Sequence, residues 1–149
     1  MLPGRKRRWN KMRELIISKL NQIENEYKVK ILLAVESGSR AWGFASPDSD
    51  YDVRFIYVRP EKEYLRLEEV RDVIEVPISD ELDINGWDLQ KTLRLLHKSN
   101  PTLFEWFSSP IVYFETEFAN RFRKIMNDSL HRAGFEKGIY KTSRFFLQK

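Results

Sequence analysis

Ile31-Leu32-Leu33-Ala34-Val35, closed by Glu36-Ser37-Gly38-Ser39 and followed after ten residues by Asp50-Tyr51-Asp52-Val53-Arg54-Phe55-Ile56-Tyr57-Val58, decides the fold of this chain. The first run is short and continuously apolar, as expected of a strand covered on both faces. The turn at Ser37-Gly38-Ser39 ends it and is expected to open a helix. Glycine lets a backbone approach an anion closely, while free amide groups and the Ser39 hydroxyl can donate hydrogen bonds, so the turn reads as a phosphate cradle suited to a triphosphate. In the second run the polar residues alternate with Tyr51, Val53 and Phe55, and a strand then sets Asp50, Asp52 and Arg54 on one face. Two carboxylates pointing the same way repel unless a cation lies between them, and oxygen ligands of this kind suit magnesium or manganese. A third acid is wanted. Asp83, between Leu82 and Ile84 in another alternating stretch, is the first candidate, with Glu81 and Asp88 behind it.

Working outward, Trp9, Met12, Ile16, Leu20 and Ile23 recur at helical spacing, which predicts an amphipathic helix over 9–27 beside the first strand. Arg59-Pro60 breaks the second strand, and residues 61–70 form a charged connection with a helical turn or two. Val73-Ile74-Glu75-Val76 and Leu82-Asp83-Ile84 read as a hairpin turned at Ser79-Asp80-Glu81 and ended by Asn85-Gly86. Asp88 can cap a helix carrying Leu89, Leu93, Leu95 and Leu96. Asn100-Pro101 forces a break before a short helix with Leu103, Phe104, Trp106 and Phe107, stopped by Pro110. Ile111 to Phe114 is extended or a covered loop, and residues 115–130 are helical through Phe118, Phe122, Ile125 and Met126. Ile139-Tyr140 and Phe145-Phe146-Leu147 are apolar without a visible partner. The order gives an α+β fold, a small mixed β-sheet with helices packed against it. Residues 1–114 read as a core with a basic N-terminal helix, and 115–149 as a helical extension.

With 149 residues the chain fits one domain. No apolar run approaches the roughly 20 residues that span a bilayer, so no membrane partner is expected. The N-terminus lacks the apolar segment of a secretory signal. The chain has no cysteine, which excludes disulfides and thiolate metal sites and is consistent with a cytoplasmic location. Residues 1–30 hold nine Lys or Arg against three acids, so this end is basic and the rest of the chain, at about −2, is slightly acidic within the +4 net charge. Arg5-Lys6-Arg7-Arg8, backed by Trp9, Lys11 and Arg13, could follow nucleic-acid phosphates; a solvated helix start is the plainer account. Asp48 to Asp52 imitates the opening of an EF-hand loop, but Val53 and Arg59 stand where that loop needs Gly and Glu. Trp42 and Trp87 read as packing anchors rather than base platforms. His97 and His131 have no partners at metal-ligand spacing.

Gly38-Ser39, then Asp50-Tyr51-Asp52, then Leu82-Asp83-Ile84 resemble the nucleotidyltransferase superfamily typified by DNA polymerase beta. More narrowly, Glu36-Ser37-Gly38-Ser39-Arg40-Ala41-Trp42-Gly43, Asp83-Ile84-Asn85-Gly86-Trp87-Asp88, Asn100-Pro101, Glu105-Trp106 and Ser109-Pro110 are similar to predicted nucleotidyltransferases associated with phage RNA repair. The similarity runs from about Val29 to Tyr113. It implies a palm-like fold and a two-metal transfer, in which a hydroxyl attacks the α-phosphate of a nucleoside triphosphate and pyrophosphate leaves. Asp50 and Asp52 would hold both magnesium (or manganese) ions, and Asp83 the one beside the attacking hydroxyl. Gly38 and Ser39 would hold the β- and γ-phosphates, with Arg40 as a further contact and Lys91 or Arg94 as distant candidates. The acceptor would be a hydroxyl on RNA, a protein or a small molecule, with RNA the first candidate. Relatives continue into a longer helical part than is seen here, so a protein partner completing the pocket is one expectation, and a catalytically reduced nucleotide- or RNA-binding, antitoxin-like module is the alternative function.

Overall fold

A computed structural model describes residues 3–46, 49–77, 79 and 81–132. Helix α1 (Pro3–Tyr27) leads into β1 (Lys30–Glu36) and β2 (Tyr51–Val58). A single-turn α2 (Glu61–Tyr64), β3 (Val73–Glu75) and β4 (Leu82–Asp88) follow, then α3 (Leu89–His97), α4 (Pro101–Phe107), β5 (Val112–Glu115) and α5 (Glu117–Arg132). The strands form one sheet in the order β3-β4-β2-β1-β5. It is mixed, as expected: β2 and β4 run parallel, and the remaining neighbours run antiparallel.

Alternation along the strands sorts the side chains into two cores. On one face Ile16, Leu20 and Ile23 of α1 pack over Ile31, Ala34, Val53, Phe55, Tyr57 and Ile84. On the other, Leu33, Val35 and Ile56 meet Leu103, Phe104, Phe107, Phe122 and Met126 of α4 and α5. Cover on both sides is why β1 is apolar at consecutive positions. A register shift between Ile31 and Leu33 adjusts which face the strand's residues meet. The polar positions of β2 and β4, Asp52, Arg54, Asp83 and Asn85, share the face of α4 and α5 but remain only partly buried.

Three local expectations give way. No helix follows Ser39; residues 38–43 make turns, with the Ala41 and Trp42 amides donating to the Gly38 and Ser39 carbonyls at 3.0 and 3.2 Å. Gly43, at φ 79°, takes the chain out of helical backbone before a second turn of helix can form. Asn85-Gly86 does not end the hairpin, because β4 continues through it to Asp88. A Cβ on Gly86 would lie 2.2 Å from the Phe55 ring, so this glycine admits the neighbouring strand's aromatic side chain and marks a close packing rather than a turn. Asp50, read as sharing a strand with Asp52 and Arg54, lies just before β2 instead, whereas residues 112–115, read as extended or a covered loop, take the extended form as an edge strand paired with β1. Asp88 caps α3, accepting from the Gln90 amide, and Asn100 caps α4 ahead of Pro101. Asp80, Asp48 and the apolar groups from Ile139 onward lie outside the described residues.

Candidate functional site

The parallel pairing of β2 with β4 places Asp52 directly beside Asp83 in register. Both side chains emerge on one face, about one third and one fifth exposed. The Arg54 guanidinium lies between them: its Nη2 donates to Asp83 Oδ2 at 2.7 Å and stands 3.8 Å from Asp52 Oδ1. Asn85 Nδ2 donates to the other Asp83 oxygen at 2.8 Å, which fixes that carboxylate from both sides. Asp50, exposed just before β2, is not locked into this group, yet its charge bears on Asp52. Burial pushes the Asp52 carboxyl up from its ordinary value; Arg54 and Arg40 oppose the rise, and Asp83 and Asp50 add to it.

The glycine turn is clamped against this acid through the backbone. Ser37 N–H donates to the Asp52 carbonyl at 2.8 Å, and the Asp52 amide donates to Glu36 Oε1 at the same distance. Gly38 is packed so tightly that a Cβ there would sit 1.8 Å from Asp52 Oδ2. Glu36 is fully buried, and its second oxygen accepts from the Tyr113 hydroxyl at 2.7 Å. Burial drives the Glu36 carboxyl up, more than the Tyr113 and Asp52 hydrogen bonds hold it down. Ser39 is exposed on the turn. Arg40 turns the other way: its guanidinium lies 3.8 Å over the Tyr51 ring and donates to the Ser49 carbonyl.

Of the sequence-derived candidates, Asp52, Asp83 and Gly38 converge, Asp50 stands at the rim, and Ser39 and Arg40 border the turn. Glu81 faces outward in an ion pair with Arg8 at 3.0 Å. Asp88 is buried at the far end of β4, where it caps α3 and accepts from the Tyr64 hydroxyl at 2.8 Å. Lys91 pairs with Asp72 at 3.4 Å, and Arg94 reaches Gln90. Lys91's partner Asp72 and Arg94 belong with Asp88 to a separate hollow of about 660 Å³, lined by both signs of charge and by none of Asp50, Asp52, Asp83 or the glycine turn. Trp87 stacks on Trp106 with ring centroids 3.8 Å apart, and the Trp42 indole donates to Glu105 at 3.2 Å, so both contacts are the packing expected of them.

Sequence reasoning set Arg54 on the acid face without seeing its ion pair, and it gave no role to Glu36, Asn85 or Tyr113. An acid ending an apolar strand was the signal for Glu36; its partner stands 77 residues away, beyond any local pattern.

Among the described residues, no group of three or more His, Asp or Glu side chains is gathered closely enough to hold an ion as it stands. The donor chemistry nonetheless fits a hard divalent cation. Carboxylate oxygens lie on adjacent strands, and a guanidinium occupies the position of positive charge between them.

Known proteins are similar to this chain over much of its length. An uncharacterized protein of Bacillus subtilis (strain 168), YcgL, is 59% identical over 119 residues, which cover 79% of this chain and 46% of that protein. The chain thus spans less than half of that relative. The crystal structure of a nucleotidyltransferase-like protein from Exiguobacterium sibiricum 255-15 aligns at a TM-score of 0.44 and 16% identity, over 75% of this chain and 38% of its own. The profile of the RNA repair pathway DNA polymerase beta family matches residues 12–136, a stretch holding β1 to β5 and every candidate acid, and the chain belongs to that family.

Proposed function

We propose that this chain is a metal-dependent nucleotidyltransferase, transferring a nucleoside monophosphate from a nucleoside triphosphate to a hydroxyl of an RNA acceptor. One observation carries the reading: Asp52 and Asp83 are register partners on parallel strands, beside a glycine whose backbone touches the Asp52 carboxylate. Asp50, Asp52 and Asp83 would hold magnesium or manganese. A divalent cation there would neutralise phosphate oxygens and make the acceptor hydroxyl easier to deprotonate.

The protein's own groups do the rest. The Gly38 and Ser39 amides and the Ser39 hydroxyl offer donors to the β- and γ-phosphates, and glycine keeps that backbone free of a side chain. Arg40, held over the Tyr51 ring, would have to swing back around the turn to add a fork for a further phosphate oxygen. Arg54 balances the paired acids in the absence of a cation and must leave Asp83 for the carboxylate to bind one. Glu36 holds the Asp52 amide, and Ser37 its carbonyl, so turn and acid are positioned as one piece. Residues 1–114 form the transferase core in this reading, and α5 is the described part of the extension that follows; residues 133–149 lie outside the described residues.

Incubation with labelled triphosphates, magnesium and RNA tests it: incorporation is expected in the parent protein and is lost in the Asp50→Ala plus Asp52→Ala variant. Unchanged incorporation in that variant refutes the site. The Arg54–Asp83 ion pair favours a second reading, a module that binds nucleotide or RNA without transfer. Nucleotide binding with no turnover, manganese included, would select it.

A further inference from the structure

The geometry points to a seat for the acceptor RNA, as a single strand, in a cleft of about 300 Å³ between the start of α1 and the loop carrying Arg40. This deepens the proposed function and rests on it for the identity of the acceptor. Arg5, Arg8 and Arg40 line the cleft with Trp9, Ala45, Ser46 and Tyr51, and among the described residues no acid does. The hollow near Asp88, by contrast, mixes both signs. A wall of arginines beside the part-exposed Trp9 ring, with no carboxylate among its described lining residues, suits a ligand that is both anionic and flat-ringed, which describes a polynucleotide strand.

The cations are held ready. Arg5 and Arg8 lie three residues apart on one side of α1, and Arg8 is braced by Glu81 at 3.0 and 3.1 Å. Trp9 stacks on Tyr51 with centroids 6.1 Å apart, and the same Tyr51 ring carries the Arg40 guanidinium.

Position decides between a strand and the triphosphate. Tyr51 belongs to the α1 face of β2, whereas its sequence neighbour Asp52 projects from the other. A triphosphate gripped beside Gly38 and Asp52 stays on the acid side. A strand lying in the cleft rounds the end of β2 and delivers its terminal hydroxyl to the acids.

The test is fluorescence anisotropy with a labelled single-stranded oligoribonucleotide over a range of salt, run beside triphosphate binding in magnesium. Arg5→Ala plus Arg8→Ala is expected to weaken RNA binding by about tenfold and to lower the salt slope by roughly 1.4, since each lost phosphate contact on a single strand removes about 0.7. Arg5→Lys plus Arg8→Lys should recover most of the binding, and triphosphate affinity should hold in both. Both arginines are exposed on a helix, so alanine leaves the core intact. RNA affinity unaffected by the alanine pair overturns the cleft, as does triphosphate affinity that falls in step with it. RNA binding lost in the variant, in a parent protein that transfers nothing, keeps the cleft and sinks the transfer reading; Asp52-dependent transfer indifferent to both arginines does the reverse.

Discussion

The two ends of the parallel pair β2 and β4 each present a buried or half-buried aspartate, and they use it oppositely. At the carboxyl end Asp88 is 3% exposed and its needs are met inside the fold, by the Gln90 amide, the Tyr64 hydroxyl and a helix that starts on it. At the amino end Asp52 and Asp83 remain partly open and no helix starts on them; Arg54 faces both, and Asn85 also donates to Asp83. An acid sealed from solvent with its hydrogen bonds complete is structural. Acids that stay partly exposed, share one guanidinium and border a bare glycine turn have capacity left for a ligand.

Breaking that contrast should have its largest effect at the open end. Asp52→Asn or Asp83→Asn is expected to reduce nucleotide incorporation by more than the roughly 10–100-fold typical of losing a supporting partner, because the carboxylates themselves would be the ligands. Thermal melting should move little, since the lost ion pair is part-exposed. A variant that melts much lower while keeping its specific activity would make these acids structural, like Asp88.

The two packed glycines sharpen the same point at smaller cost. A Cβ at Gly86 meets the Phe55 ring at 2.2 Å, in the middle of the sheet, and Gly86→Ala should cost about 1–3 kcal/mol of unfolding free energy through overpacking. At Gly38 the Cβ meets the end of a partly exposed carboxylate at 1.8 Å, which can swing aside. Gly38→Ala should therefore spare stability and lower transfer, read as denaturant midpoint against incorporation. Asp88→Ala comes next: it removes a helix cap worth about 0.5–2 kcal/mol and should leave incorporation per folded molecule unchanged.

How much of this was legible follows from how local each feature is. The alternation of Asp52 and Arg54 against Tyr51, Val53 and Phe55, the apolar run of β1 and the capping acid Asp88 are properties of neighbouring residues, and they folded as read; Asp50, one step earlier, fell outside β2. The register that puts Asp83 beside Asp52 joins positions 31 residues apart and depends on how the hairpin docks. Asn85-Gly86 carried the composition of a turn but answers to Phe55 across the strand. The expected helix after Ser39 failed because Gly43 and the pull of Arg40 toward Tyr51 and Trp42 toward Glu105 outweigh a short helical propensity.

The smallest expected effect lies under the open end, at Glu36. Burial raises its pKa above the ordinary 4.5, so the folded protein holds this proton more tightly than the unfolded chain does. Its contribution to stability is then greatest where the group is protonated in both states, declines as pH rises from about 4.5 through the raised folded value, and is level above it. Other carboxylates titrate in the same window, so the parent curve alone is uninformative. In Glu36→Gln the amide oxygen can still accept from the Asp52 amide, and its NH₂ can donate to the Tyr113 hydroxyl, but no charge has to be buried. The stability difference between variant and parent should therefore shift in the variant's favour from acid to neutral pH, measured by denaturant unfolding at each pH. A difference that stays flat, or moves toward the parent, would mean that the Tyr113 and Asp52 hydrogen bonds outweigh burial and that Glu36 is held as a carboxylate.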